Sequence, residues 1–325
     1  MIDQYGRNIH YVRISVTDRC NLRCRYCMPQ EGVEQLPHAD ILNYDELIRL
    51  AGIFAGRGIT RIKLTGGEPL VRKEIWKLVQ GLKQVDGIEQ VTLTTNGVLL
   101  AKQIDKLTAA GLDAVNISLD TLDARQYETI TRKAELPAAL AGLHAALSYP
   151  QIRTKINCVP LAGENDRQWV LLAAIAKDDP VDVRFIEMMP IGLGKEFVGR
   201  TQEDILRALR EAFGQEAALT GEFGNGPGTY VDFAGFTGRI GFISAMTHKF
   251  CDRCNRVRLT PEGYLKPCLQ YAAGVDLRSA MRSGASDEEL DQIIGKMIYE
   301  KPCSHHFENN GEPGTDFRQM SRIGG

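Results

Sequence analysis

No apolar run in this 325-residue chain approaches the roughly 18 residues needed to cross a bilayer, and its first 30 residues lack the apolar core of a signal peptide. The expected location is the cytoplasm, with no membrane partner. Excess charge is missing too: 39 Lys and Arg face 41 Asp and Glu, for a formal net charge of −2. Bulk attraction to nucleic acid is therefore excluded as the basis of function, and an anionic ligand must be held by a local group of basic residues. Cysteine is scarce but not scattered. Of eight, six fall into two triplets, Cys20, Cys24, Cys27 and Cys251, Cys254, Cys268. In a chain without a secretion signal, that grouping favours metal ligation over disulfides. Cys158 and Cys303 stand alone and read as a small buried strand residue and an ordinary surface thiol.

What is present is a globular composition, 43% hydrophobic and 25% charged, in a length that allows two domains or one barrel with an extension. Val12, Ile14 and Val16 alternate with Arg13, Ser15 and Thr17, which predicts a strand over 11–17. A helix is expected over 43–57, where Asn43 and Glu46 have capping-box spacing. Further strands are expected at 61–65, 91–95, 114–119, 153–159 and 181–187, with helices at 74–85, 101–110, within 123–148 and at 166–177. That alternation predicts right-handed βαβ units and a parallel sheet. A closed eight-stranded barrel would fill its interior with branched apolar side chains. Here the second face of each strand is polar: Arg13, then Lys63, then Thr92 with Thr94, Asn116 with Ser118, Lys155 with Asn157, and Asp182 with Arg184. The expected fold class is therefore α/β, an incomplete six-stranded barrel of TIM type whose inner face lines a cavity for a large polar ligand. Ligands should sit toward the carboxyl ends of the strands.

Beyond Pro190 the pattern changes. A helix is expected over 202–213, a flexible connection over 221–228, hairpins over 229–244 and 257–268, and a helix over 287–298. From Glu308 on, the Asn, Gly and charge content predicts a mobile tail. The chain is divided into a core barrel over residues 1–223 and a smaller C-terminal domain over 224–325.

Three thiolates from the loop Cys20-Asn-Leu-Arg-Cys24-Arg-Tyr-Cys27 can hold three irons of a cubane cluster and leave the fourth iron open. Zinc is the structural alternative, but its structural sites are closed by four ligands, and no fourth Cys or His lies within ten residues of Cys27. The second triplet again offers three thiols, with His248 near enough in sequence to complete a zinc site. Gly66-Gly67-Glu68-Pro69, directly after a strand, reads on its own as a turn. Arg256 and Arg258 share one face of a strand, which suits either bidentate contact with phosphate oxygens or plain surface exposure.

The Cys-x3-Cys-x2-Cys spacing with Tyr26 before the last cysteine resembles the cluster loop of the radical S-adenosylmethionine (SAM) enzymes. The resemblance implies that the open iron chelates SAM, that Tyr26, Gly67, Glu68, Thr95 and Ser118 contact it, and that Met189 lies by its adenine. A longer set narrows the match: Ser15-Val-Thr-Asp18-Arg-Cys20, Leu64-Thr-Gly-Gly-Glu-Pro69, Leu93-Thr-Thr-Asn96-Gly97, Arg184-Phe-Ile-Glu187, Phe250-Cys-x2-Cys-Asn-Arg-Val-Arg258 and the terminal Gly324-Gly325. In order and spacing this set is similar to the GTP 3′,8-cyclase family of molybdenum cofactor biosynthesis. That implies two [4Fe-4S] clusters and SAM as cofactors, and GTP as substrate. A 5′-deoxyadenosyl radical would take the hydrogen from C3′ of GTP, and the carbon radical would close on C8. By the same resemblance Arg13, Lys63, Thr94, Lys155, Arg256 and Arg258 bind GTP, and Gly324 and Gly325 assist its activation. The implied partners are a reductant such as flavodoxin or ferredoxin, a downstream cyclic pyranopterin monophosphate synthase, and a second copy in a homodimer. Lys63 departs from the Arg usual in the family, which replaces a bidentate contact with a point charge.

Overall fold

A computed structural model of the chain describes residues 1–221, 223–309 and 313–323. Six strands form where period-2 alternation predicts them: β1 (Tyr11–Ser15), β2 (Arg61–Thr65), β3 (Gln90–Thr95), β4 (Ala114–Ser118), β5 (Arg153–Cys158) and β6 (Asp182–Ile186). The helices between them are α1 (Tyr44–Gly56), α2 (Ile75–Lys83), α3 (Ile104–Ala109), α4 (Ala124–Thr131), α5 (Leu136–Leu147) and α6 (Trp169–Asp178). α1 starts on the expected capping box, with the Asn43 side chain accepting from Glu46 N–H and the Glu46 carboxylate accepting from Asn43 N–H, both at 2.8 Å. It buries Leu47, Leu50, Ala51 and Phe54. The helix expected over 101–110 is interrupted, because Gln103 leaves helical geometry between a 3-10 turn at Leu100–Lys102 and α3.

β1 to β6 pair in parallel and in sequence order. Their apolar residues, such as Val12, Ile62, Leu93, Val115, Ile156 and Val183, are buried in one continuous core with the helices. The register places Arg13 beside Lys63, Lys63 beside Thr92, Thr94 beside Asn116, Asn116 beside Lys155, and Asn157 beside Arg184. Because side chains alternate across a strand, these polar residues share the face turned away from the helices.

The remainder is α7 (Gln202–Phe213), β7 (Ala217–Leu219), β8 (Thr229–Asp232), β9 (Ile240–Ile243), β10 (Arg256–Leu259), β11 (Tyr264–Lys266), β12 (Val275–Asp276), α8 (Leu277–Arg282), α9 (Asp287–Tyr299) and a last turn α10 (Met320–Ile323). Both expected hairpins form, and both extend the same sheet. β9 lies parallel to β6 and β10 lies parallel to β1, so the C-terminal part adds strands to each edge of the six. Gly238 permits the first graft: a Cβ there would stand 1.9 Å from the Val181 carbonyl oxygen. β7, β12, α8 and α10 have no counterpart in the sequence-based expectation; the two strands are only three and two residues long. Among the described residues no helix is long and apolar enough to cross a membrane.

The tail is a correction. The region from Glu308 was expected to be mobile, yet within residues 313–323 the side chains of Asp316, Ser321 and Ile323 are buried. Lys266 and Asp316 form an ion pair with side chains 0% and 2% exposed, and Arg318 adds a second contact to Asp316 at 2.9 Å. Ile323 is buried against Ile191 and Phe307, with Met189, Met246 and Leu269 around them. Low-complexity composition concealed an apolar residue and a carboxylate whose partners lie far away in sequence. Gly324 and Gly325 lie outside the described residues.

Removing one partner of a buried ion pair leaves the other charge uncompensated. Asp316→Ala is expected to lower the unfolding free energy by about 3 kcal/mol, read from urea denaturation of the metal-free chain. An unchanged midpoint would show that the tail contributes nothing to the fold.

Candidate active site

The loop after β1 carries the first triplet, and contacts from three sides fix it. Gly67 N–H donates to the Thr17 carbonyl at 2.7 Å and Glu68 N–H to that of Arg19 at 2.8 Å. A Cβ on Gly67 would stand 2.4 Å from the Arg19 carbonyl oxygen, so the double glycine is required for this close approach. Arg132, itself at φ 57°, donates from Nη1 to the carbonyls of Arg23 and Met28. Tyr26 Oη donates to Asp120 Oδ2 at 2.6 Å, tying the loop to the end of β4. Glu68 Oε1 accepts from Thr95 Oγ1 at 2.7 Å and Oε2 accepts from Asn96 N–H at 2.7 Å, joining the ends of β2 and β3.

All six triplet cysteines are free thiols and line one cavity of about 390 Å³. The cavity is also lined by the residues expected around SAM, Tyr26, Gly67, Glu68, Thr95, Ser118 and Met189. Those expected around the substrate, Arg13, Lys63, Thr94, Lys155, Arg256 and Arg258, line it as well. Residues from all six strands thus face a common space, which requires the sheet to curve around it. Cys20 follows the end of β1, whereas Cys254 precedes β10, whose first residue pairs with the first residue of β1. The two triplets therefore lie at opposite ends of the strands, roughly 15 Å apart for five residues at the usual rise.

Burial raises the Cys20 thiol to about 11 and the Cys27 thiol to about 12, so these sulfurs need a metal's charge to ionise. Cys254 differs. Burial alone would raise it, but the positive field of Lys301 and Arg256 pulls it to about 7. His248 is exposed, with its ring nitrogen 3.2 Å from Thr247 Oγ1, and is not among the cavity's lining residues; it does not complete the second site. Among the described residues no three Cys, His, Asp or Glu side chains converge on a point that one ion could occupy. A single zinc ion, with every ligand about 2.3 Å away, does not suit either triplet. Thiols that each bind a different iron of a cluster need no such common point.

Between the triplets the wall is cationic. Lys63 is held below its ordinary pKa first by burial, then by repulsion from Arg184, Arg13, Lys155 and Arg256. Arg258 is lowered for the same reasons, with Arg13 and Arg256 as the repelling neighbours. Lys155 is partly neutralised by Asp182 at 2.9 Å, and Arg184 donates to Asn157 at 2.6 Å. Arg256 packs on the Phe250 ring at 5.1 Å, while its buried Nε and Nη2 have no hydrogen-bond partner among the described residues. Unmade bonds from a buried guanidinium identify a place for an anion.

The family model of the radical SAM superfamily matches residues 14–175, and that of Molybdenum Cofactor Synthesis C matches 181–307. GTP 3′,8-cyclase of Clostridium perfringens strain 13 is 44% identical over 330 residues, covering all of both chains. The chain belongs to the GTP 3′,8-cyclase family. The enzymes of that name from Heliobacterium modesticaldum and Moorella thermoacetica are 44% and 43% identical to this chain, again across both full chains. The solved structure of Streptococcus suis SuiB bound to precursor peptide SuiA superposes with a TM-score of 0.57 at 14% identity, over 92% of this chain and 66% of that one. This likeness supports the barrel fold alone.

Sequence reading missed several residues of this cyclase's site. Lys301, 3% exposed, acts on Cys254 yet follows α9, far from the triplet in sequence. Arg132 braces the cluster loop, and nothing local marks it as doing so. Phe250, next to Cys251, was quoted only as part of the motif, though its ring carries Arg256.

Burial raises the Glu68 carboxyl to about 7 and that of Asp120 to about 6, against the hydrogen bonds each accepts. Both folded values exceed the unfolded ones, so the folded chain binds more protons. This stability is full below about pH 4 and lost as pH rises through about 6 to 7. Metal-free, SAM-free protein is expected to unfold at lower urea concentration at about pH 7.5 than at about pH 5, by on the order of 2 kcal/mol. A midpoint that rises over this interval would contradict the assignment.

Proposed function

We propose that the chain converts GTP to 3′,8-cyclo-7,8-dihydro-GTP, with SAM and two [4Fe-4S] clusters as cofactors, as the first step of molybdenum cofactor biosynthesis. The observation that carries this reading is a single cavity with three free thiols at each end and a cationic wall between them. Cys20, Cys24 and Cys27 hold the SAM cluster; Cys251, Cys254 and Cys268 hold the second. When bound, the first cluster and SAM supply a 5′-deoxyadenosyl radical, and the second cluster supplies an open iron for the purine. Glu68, fixed by Thr95 and Asn96, receives the amino group of SAM beside the Gly66–Gly67 backbone, with Tyr26 and Ser118 alongside and Met189 at the adenine. Arg13, Lys63, Thr94, Lys155, Arg256 and Arg258 hold the triphosphate and ribose, so that C3′ is presented to the SAM end of the cavity. Such positioning is the protein's share of radical catalysis; the cofactor carries the reactivity. Gly324 and Gly325 are assigned to activating bound GTP. A flavodoxin or ferredoxin as reductant, transfer of product to cyclic pyranopterin monophosphate synthase, and a homodimer complete the proposal.

Anaerobic incubation of iron-loaded protein with SAM, GTP and reductant, followed by mass analysis, should yield 5′-deoxyadenosine and a nucleotide isomeric with GTP. Cys254→Ala should retain some SAM cleavage while forming no cyclised nucleotide. Recovery of unaltered GTP from wild-type protein that cleaves SAM would overturn the reading.

Lys63 is buried among four cations, so its charge costs the empty protein stability and repays that only when an anion binds. Lys63→Met is therefore expected to stabilise the ligand-free protein by on the order of 1 kcal/mol while weakening GTP binding about ten-fold or more. Losing stability and affinity together would place Lys63 in the fold rather than at the triphosphate.

A further inference from the structure

His305 belongs to no motif of the sequence and to none of the roles assigned above. Its main chain is tied down: its N–H donates to Cys251 Sγ at 3.5 Å, and its carbonyl accepts from Lys249 Nζ at 3.5 Å. Its ring packs on Phe307, with centroids 4.7 Å apart at 40°, and the residue is 6% exposed. The ring nitrogens are not both tied down. Both are buried; the Ala245 backbone engages the ring at no more than one of them, which leaves at least one without a hydrogen-bond partner among the described residues. His305 lines the cavity with Cys251, Met189 and Arg256. Phe307, on which it rests, packs against Ile191 and Ile323 next to Met189. The residue therefore borders the cavity beside the second triplet, on the side of Met189.

An imidazole offers one donor and one acceptor in its neutral form, and burying either unmade is unfavourable unless a ligand completes it. The triphosphate is not that ligand, since the cations that suit it lie on the strand wall. We propose that His305 hydrogen-bonds the nucleoside part of the substrate, through a sugar hydroxyl or the polar edge of the purine, and thereby contributes to selecting GTP. The inference rests on the reading of the cavity as a GTP site. It would make His305 a substrate-contacting residue held in place by the same segment that touches Cys251.

The test uses iron-loaded protein under anaerobic conditions and measures binding, not turnover. His305→Phe keeps the ring and its packing on Phe307 but removes both nitrogens; His305→Asn restores a donor and an acceptor. Affinities are measured for GTP, 2′-deoxy-GTP and inosine triphosphate, which lacks the purine 2-amino group. His305→Phe should bind GTP about three- to ten-fold more weakly at unchanged iron content. It should also lose the wild type's discrimination against whichever analogue lacks the contacted group, and His305→Asn should recover part of it. If the coupling appears with the deoxy analogue the partner is the sugar, and if with the inosine analogue the purine edge. His305→Phe with wild-type GTP affinity, or with all three ligands weakened equally alongside iron loss, would overturn the inference. Failure of wild-type protein to bind GTP at all would instead remove the functional reading on which it rests.

Discussion

Six cationic side chains, Arg13, Lys63, Lys155, Arg184, Arg256 and Arg258, face one cavity, and burial makes their mutual repulsion the central constraint on this structure. Water screens such charges poorly inside a protein, so an empty site of this kind works against folding. Local relief is built in at several points, among them Asp182 beside Lys155, Asn157 under Arg184, and the Phe250 ring beneath Arg256. The opposite face of the same strands supplies the compensation. Val12, Ile62, Leu93, Val115, Ile156 and Val183 are wholly buried beneath the helices. Stability is thus concentrated outside the barrel and ligand recognition inside it, with one backbone serving both.

The parallel register converts that division into a reaction chamber. Each strand begins at one end of the cavity and finishes at the other, so a loop leaving β1 and a loop entering β10 open on opposite mouths. Their cysteines are separated by the length of a strand, a gap suited to a nucleotide. The C-terminal part does more than cap this space. By adding β9 to one edge of the sheet and β10 to the other, it brings Arg256 and Arg258 into the same cationic row as Arg13.

Around the first cysteine loop, rigidity comes from main-chain and side-chain contacts together. Gly67 and Glu68 pair with Thr17 and Arg19, Arg132 closes the loop over Arg23 and Met28, and Tyr26 reaches Asp120. A loop held at so many points needs little rearrangement to accept a cluster, and its buried thiols gain their charge only when metal binds.

Features carried by neighbouring residues were legible in the sequence. Alternation placed β1 to β6 and told their inner from their outer faces, and capping chemistry started α1 at Asn43. The spacing of Cys20, Cys24 and Cys27 pointed to a cluster because ligands from one loop share one local geometry, whereas Cys268 joins Cys251 and Cys254 only because β11 returns beside β10. Features made by distant residues were not legible. Lys301 lowers Cys254 from beyond α9, Asp316 finds Lys266 and draws a polar tail onto the core, and His305 rests against Cys251 with an idle ring nitrogen. The sequence by itself determined the strands, their two faces and the thiols available for metal, since those depend on period and spacing along the chain. Tertiary structure alone decided which charges meet across the cavity, that both hairpins prolong one sheet, and where the tail lies, because burial and electrostatic fields depend on distances through space.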